Sequence, residues 1–165
     1  MEKPDPSSEH IWLQRLVGEW SVESECLTGP DQPPMKWAGT ETVRSLGGLW
    51  TVGHGKMGDD SGCGSGEWCD AIMTLGYDPV SKRFVGTFVA GMMTHLWTYN
   101  GALDAAGQVL TLDTVGPSFF DDGTLAPYQD IIEFVDNDHR TLRSQMRGPD
   151  GEWTQFMSAH YRRTS

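Results

Sequence analysis

Along most of this chain apolar and polar residues alternate in short runs instead of recurring at helical spacing. A period of two turns one face of an extended chain towards a core and the other towards water, so each run predicts a half-buried β-strand. The runs fall at residues 20–26, 37–46, 49–57, 71–77, 83–90, 93–99, 108–115, 128–135, 141–147 and 153–161. Explicit turn chemistry separates them: Gly47-Gly48, Asp78-Pro79, Asn100-Gly101, Asp121-Asp122-Gly123, Asp136-Asn137-Asp138 and Pro149-Asp150-Gly151. No long helical segment is available to cross over a sheet, so neighbours are expected to pair antiparallel in up-and-down order. The predicted fold is all-β: an antiparallel barrel of about ten strands, closed on itself, with an interior able to hold a ligand. One helix is expected ahead of it. Ser7 or Ser8 can cap that helix, and Trp12 and Leu16 lie one turn apart with Leu13 and Val17 beside them. This apolar stripe needs a partner, either as a lid across one barrel end or against the outer wall.

The same alternation assigns inner faces, because one register leaves charges outside and the other buries them. Tyr128, Asp130, Ile132 and Phe134 point inward, as do Leu142, Ser144 and Met146, with Arg143, Gln145 and Arg147 outside. Phe84, Gly86, Phe88 and Ala90 form another inner row, and Met93, His95, Trp97 and Tyr99 a further one. On the last run Trp153, Gln155, Met157, Ala159 and Tyr161 are placed inward, which leaves Phe156 exposed and His160 outside with Glu152 and Arg162. His54, between Gly53 and Gly55, suggests a bulged strand. The glycine-dense stretch 58–66 predicts a hairpin connection at the barrel mouth.

Length and charge narrow the function. At 165 residues the chain suffices for one domain, expected over residues 7–165 after a disordered 1–6. A formal charge of −11 repels phosphate backbones and anionic lipid, so neither nucleic acid nor a membrane is an expected partner. No apolar run approaches the length of a bilayer span or a signal-peptide core, and a cytoplasmic location is expected. Cys26, Cys63 and Cys69 are then expected as free thiols, and no metal site is predicted from them. Whether the protein is a monomer or a homo-oligomer is not encoded in these features.

The strings Leu16-Val17-Gly18-Glu19-Trp20, residues 39–50, Met73-Thr74-Leu75-Gly76-Tyr77-Asp78-Pro79 and Met92-Met93-Thr94-His95-Leu96-Trp97 together resemble a bacterial domain-of-unknown-function family, number 1579. That family is expected to fold as calycin-like barrels. The resemblance spans His10 to Arg163 and implies a fold, with no reaction attached. Gly18-x-Trp20 also resembles the opening of lipocalins and fatty-acid-binding proteins. There the tryptophan plugs one barrel end beneath a basic residue of the last strand, a role open here to Arg162 or Arg163.

An apolar interior with a few convergent polar groups is how small-molecule sites are built. The expected function is therefore binding of a small apolar or aromatic molecule. The candidate ligand-binding residues are His95, Tyr99, Tyr128, Asp130, Met93, Trp97 and Phe88. His95 is the sharpest, because an imidazole can hydrogen-bond a ligand or act as acid or base near neutral pH. A cavity enzyme of isomerase, cyclase or lyase type using His95 is the alternative, and a core histidine satisfied by Asp130 or Tyr128 is the plainer one. No cofactor is expected. A haem-binding barrel is the lesser alternative, since His160 lies near the C-terminus, where the nitrobindin barrels place their axial histidine, although the glycine-rich N-terminal signature of nitrobindins is missing. His54, His10 and His139 are assigned no chemistry.

Overall fold

The computed structural model describes residues 2–27, 31–58, 69–119 and 123–165. Ten antiparallel strands follow one another around a closed barrel: β1 (Gly18–Cys26), β2 (Met35–Leu46), β3 (Trp50–Met57), β4 (Asp70–Asp78), β5 (Arg83–Ala90), β6 (Trp97–Leu103), β7 (Val109–Pro117), β8 (Leu125–Asp136), β9 (His139–Arg147) and β10 (Trp153–Arg163). Each pairs with its chain neighbour, and β1 closes on β10 through Trp20↔Arg163, Val22↔Tyr161 and Ser24↔Ala159. Closure removes both sheet edges, which would otherwise invite pairing with other chains. Among the described residues no helix is long and apolar enough to cross a membrane.

The short helix α1 (Ser8–Leu13) and the 3-10 turn Gln14–Leu16 form the lid. Ser7 occupies the N-cap position and its backbone N–H donates to His10 Nδ1 at 3.0 Å. The buried His10 ring in turn reaches the Tyr77 carbonyl at 3.1 Å and ties the helix to β4. Trp12 donates to the Gly107 carbonyl at 2.8 Å and meets Phe84 and Phe134 edge-on. Leu13 and Leu16 are fully buried beneath it. The stripe that looked for a partner thus finds the end of the barrel where β1 begins.

Below the lid sits the plug. Trp20 is 1% exposed, donates from Nε1 to the Leu16 carbonyl at 2.9 Å and lies 4.2 Å from the Arg163 guanidinium carbon. Arg163 also donates to the carbonyls of Val17 and Arg15 at 2.6 and 2.8 Å. The last strand is thereby fastened to the turn that carries the lid. Arg163, not Arg162, is the basic partner.

Three local expectations are corrected. Asn100-Gly101 is not a turn but the middle of β6, which starts at Trp97 and not at Met93. A Cβ on Gly101 would lie 2.7 Å from Leu112 Cδ2, so this glycine serves a close approach between strands. The turn falls later, where the Asp104 carboxylate accepts from the N–H groups of Gln108 and Val109 and Gly107 takes φ +68°. His54 stands on a regular strand, not a bulged one, facing outward and paired with Asp70 at 2.7 Å. One register shift falls in β8, between Phe134 and Asp136, and a second lies in β10, between Gln155 and Met157. The second inserts Phe156 as an extra residue and so switches the strand's parity. Phe156 turns in against Ala126, Tyr128 and Met146, while Trp153 and Gln155 are exposed.

Cys26 is free, whereas Cys69 is disulfide-bonded, so the expectation of three free thiols fails there. Cys63 and most of the glycine-dense connection lie outside the described residues.

Candidate functional site

The barrel interior is filled unevenly. On the β6–β10 side the end opposite α1 is packed solid by Trp97, Tyr128, Met146 and Phe156, with Phe119 edge-on to both Tyr128 and Phe156. Trp97 lies so close over Gly116 that a Cβ there would sit 2.1 Å from its ring. On the β1–β5 side the facing inner residues are small: Gly39 on β2, Gly53 and Gly55 on β3, and Ala71 on β4. The result is a cavity of about 170 Å³. Its wall is largely apolar, built from Val22, Trp37, Met57, Met73, Phe88 and Met157. Towards the lid it ends on Glu41, Arg140 and Tyr161, behind which a void of about 20 Å³ touches the same Glu41 and Arg140.

Those three residues form the electrostatic centre of the barrel. Arg140 is 3% exposed, and its Nη2 donates to Glu41 Oε2 in an ion pair. Its guanidinium carbon stacks 3.9 Å from the Tyr161 ring centroid and 4.7 Å from that of Trp20. Arg140 Nε is buried without a hydrogen-bond partner. The planar guanidinium suits this place, because it can pair at its edge and stack on its faces at once. Tyr161 lines the cavity, and among the described residues its hydroxyl has no hydrogen-bond partner. Burial pushes its pKa well above the usual tyrosine value, with the Glu41 charge adding and the Arg140 charge opposing. Tyr161 is therefore a neutral donor at physiological pH.

Of the residues expected at a site, Phe88 lines the cavity. Trp97 and Tyr99 face inward as the alternation predicts, but Trp97 belongs to the packed side and Tyr99 bonds to Asp130. Asp130 accepts from the Tyr99 hydroxyl and, at 2.5 Å, from Ser144 Oγ. Tyr128 donates to the Pro117 carbonyl at 2.5 Å and so serves the packed end. Met93 is 39% exposed in a turn after β5. His95 lies in the irregular segment before β6, where Nε2 contacts the Val115 carbonyl at 3.0 Å and the ring meets Trp97 edge-on. Neither Met93 nor His95 touches the cavity. Apolar-polar alternation continues through Met93 to Trp97, yet β5 ends at Ala90 and β6 begins at Trp97 opposite Phe88, which leaves residues 91–96 to make the connection.

Sequence reasoning missed Glu41 and Arg140. Both were legible in principle: alternation from Leu142 back two positions puts Arg140 inside, and alternation from Trp37 and Gly39 puts Glu41 inside. An inward acid and an inward base on different strands signal a buried pair, but only once their strands are known to face one another across a barrel.

Asp130 is a buried carboxylate that accepts from two hydroxyls and, among the described residues, has no cation against it. Desolvation raises its pKa above the ordinary aspartate range, although Ser144 and Tyr99 pull the other way. An acid with a higher pKa folded than unfolded retains its proton more tightly in the native state. Stability is then greatest at and below the ordinary range and declines as pH rises through the raised value. Urea unfolding of the wild type between about pH 4 and 7 should show this decline, and Asp130→Asn should flatten it while keeping acceptor and donor atoms for Tyr99 and Ser144. A wild-type profile that rises across the same interval would mean that Asp130 is stabilised as an anion.

Among the described residues no group of three or more His, Cys, Asp or Glu comes together to hold a metal. The residues of the cavity do not fit an axially ligated haem. The described lining contains no histidine, and His160 is exposed on the outer face with its Nδ1 2.9 Å from His139 Nε2.

Fold and site together define a lidded, ten-stranded up-and-down β-barrel enclosing a small cavity with a buried ion pair at its base. The chain belongs to the DUF1579 family, described as proteins of unknown function, whose model matches residues 5–163. Comparison with curated proteins finds no significant match. Among solved structures, the crystal structure of Rv2717c from M. tuberculosis is similar with a TM-score of 0.61 at 13% identity, covering 98% of this chain and 100% of that one. A redesigned β-barrel aligns with a TM-score of 0.39 at 10% identity over 93% of this chain and 95% of that one. A DUF3598-family protein of unknown function from Nostoc punctiforme aligns with a TM-score of 0.28 at 9% identity, over 96% and 100% respectively. At these identities the likeness to Rv2717c is one of fold.

Proposed function

We propose that the protein binds a small, largely apolar or aromatic molecule inside the barrel, using its interior as calycin-like barrels use theirs. The observation that carries this reading is the cavity itself. A volume of about 170 Å³ walled by tryptophan, phenylalanine and methionine side chains remains next to a half-barrel packed solid with aromatics. Protein interiors are close-packed, and voids larger than a few water molecules are few per domain. The volume lies below the ~300–1,000 Å³ of drug-sized pockets, whereas a cavity of ~150 Å³ with an aliphatic and aromatic lining holds a benzene-sized guest. Methionine contributes adaptable, polarisable contacts to an aromatic guest, and Met57, Met73 and Met157 supply three of them.

Gly55 offers a direct test. Its side-chain position opens into the cavity, with the nearest atom to an added Cβ being the Ala71 carbonyl oxygen at 3.9 Å. Gly55→Leu should fill the cavity without strain, and thermal melts should show a stability at or above wild type, because a strand glycine costs roughly 0.5–1 kcal/mol. Calorimetric titration with toluene should give one site in the wild type and at least a tenfold loss of affinity in Gly55→Leu. His95→Phe, outside the cavity, should bind toluene as the wild type does. Equal toluene affinity in a folded Gly55→Leu protein would remove the cavity as the binding site.

A further inference from the structure

The base of the cavity specifies more than an apolar guest, and we infer that its ligand is an uncharged single-ring aromatic bearing a hydroxyl, which accepts from Tyr161 and donates to Glu41. This rests on the cavity being a binding site and names the chemistry that the site selects.

Charge comes first. Glu41 and Arg140 are paired inside the barrel, with side-chain exposures of 13% and 4%, so the polar end of the cavity is already neutral. A carboxylate brought there would lose its water and face Glu41, and an ammonium would lose its water and face Arg140. Either adds an unpaired charge to a desolvated site, a cost far above that of a neutral polar group. Arg140 already has its charge compensated, because Nη2 is committed to Glu41 inside the barrel.

Hydrogen-bond inventory then selects the group. Tyr161 lines the cavity, its hydroxyl has no hydrogen-bond partner among the described residues, and burial keeps it protonated, so it presents a donor. Glu41 commits Oε2 to Arg140, while Oε1 lies next to Gly53 beside the void of about 20 Å³, and the residue also lines the cavity itself. One donor and one carboxylate acceptor at the end of an apolar cavity match a hydroxyl, which accepts and donates from a single atom. A pure hydrocarbon would leave both groups unsatisfied. The rest of the cavity sets size and shape: it suits one ring, flanked by Trp37, Phe88 and three methionines.

The test is a matched set of one-ring probes titrated calorimetrically into the intact protein at neutral pH: phenol, toluene, benzoate and benzylammonium. Phenol should bind about tenfold more tightly than toluene, and benzoate and benzylammonium more weakly than either. Tyr161→Phe retains the ring on which Arg140 stacks and should bring the phenol-to-toluene affinity ratio to near one. Benzoate as the tightest ligand would overturn the inference in favour of an anion site at Arg140. Toluene binding as tightly as phenol, or a phenol preference that survives Tyr161→Phe, would overturn it while leaving the cavity a binding site. Failure of all four probes to bind would take the proposed function down with it.

Discussion

Trp20→Ala is expected to destabilise the protein by about 3–5 kcal/mol in urea or guanidinium unfolding, the range for deleting a large buried aromatic. The tryptophan is 1% exposed and is among the largest side chains buried this completely. Its loss would do more than leave a void. The Nε1 hydrogen bond to the Leu16 carbonyl anchors the turn after α1, and the Trp20 ring meets the guanidinium groups of both Arg163 and Arg140, the latter stacking on Tyr161 as well. Alanine removes the surface on which both arginines rest. Arg163 keeps its bonds to Val17 and Arg15 and should hold β10 to the lid, whereas Arg140 retains only Glu41 and Tyr161. The stability loss should therefore be accompanied by easier opening at the base of the cavity, visible as faster amide exchange in β9 and β1. A loss below about 1 kcal/mol would show that lid and strand pairing close this end without the tryptophan.

The second large effect concerns the buried ion pair. Glu41→Leu and Arg140→Met are each expected to cost about 3–5 kcal/mol, because removing one partner strands the other charge in a low-dielectric interior. The double replacement Glu41→Leu with Arg140→Met should be less destabilised than either single change, since no charge is then left to desolvate. A double-mutant cycle measured by denaturant unfolding reads the coupling directly. If the doubly substituted protein is as stable as the wild type but no longer distinguishes phenol from toluene, the pair is maintained for recognition and not for stability. Additive single effects would mean that the two side chains do not sense one another, contrary to their contact.

Much of the architecture was legible in the residues. Period-two alternation placed strands in all ten positions, with the inner rows of β5, β8 and β9 assigned as observed, because a barrel strand must put one face in the core. Asp136-Asn137-Asp138 and Gly47-Gly48 marked real turns, the latter with φ of +69° and +76° at its two glycines, a conformation other residues adopt only under strain. Gly18-x-Trp20 and a basic residue at the end of β10 announced the plug. Local sequence determines these features because each depends on backbone preference or on the burial of single side chains.

What decided the site lay beyond that reach. Gly101 reads as a turn signal beside Asn100, and only the approach of Leu112 and Phe84 shows that the glycine is there to let strands close up. The bulge at Phe156 reverses the face of β10 and cannot be seen in a pattern that assumes unbroken alternation. Met92-Met93-Thr94-His95-Leu96-Trp97 carries the rhythm of a strand but is consumed by the β5–β6 connection, and His95 goes with it. Glu41, Arg140 and Tyr161 are widely separated along the chain and share no motif. They meet because closing the barrel sets the inner faces of β2, β9 and β10 around one space, and because the glycines of β2 and β3 leave that space unfilled. Alternation along one strand says which way a side chain points, while the curvature and closure of ten strands say what it points at.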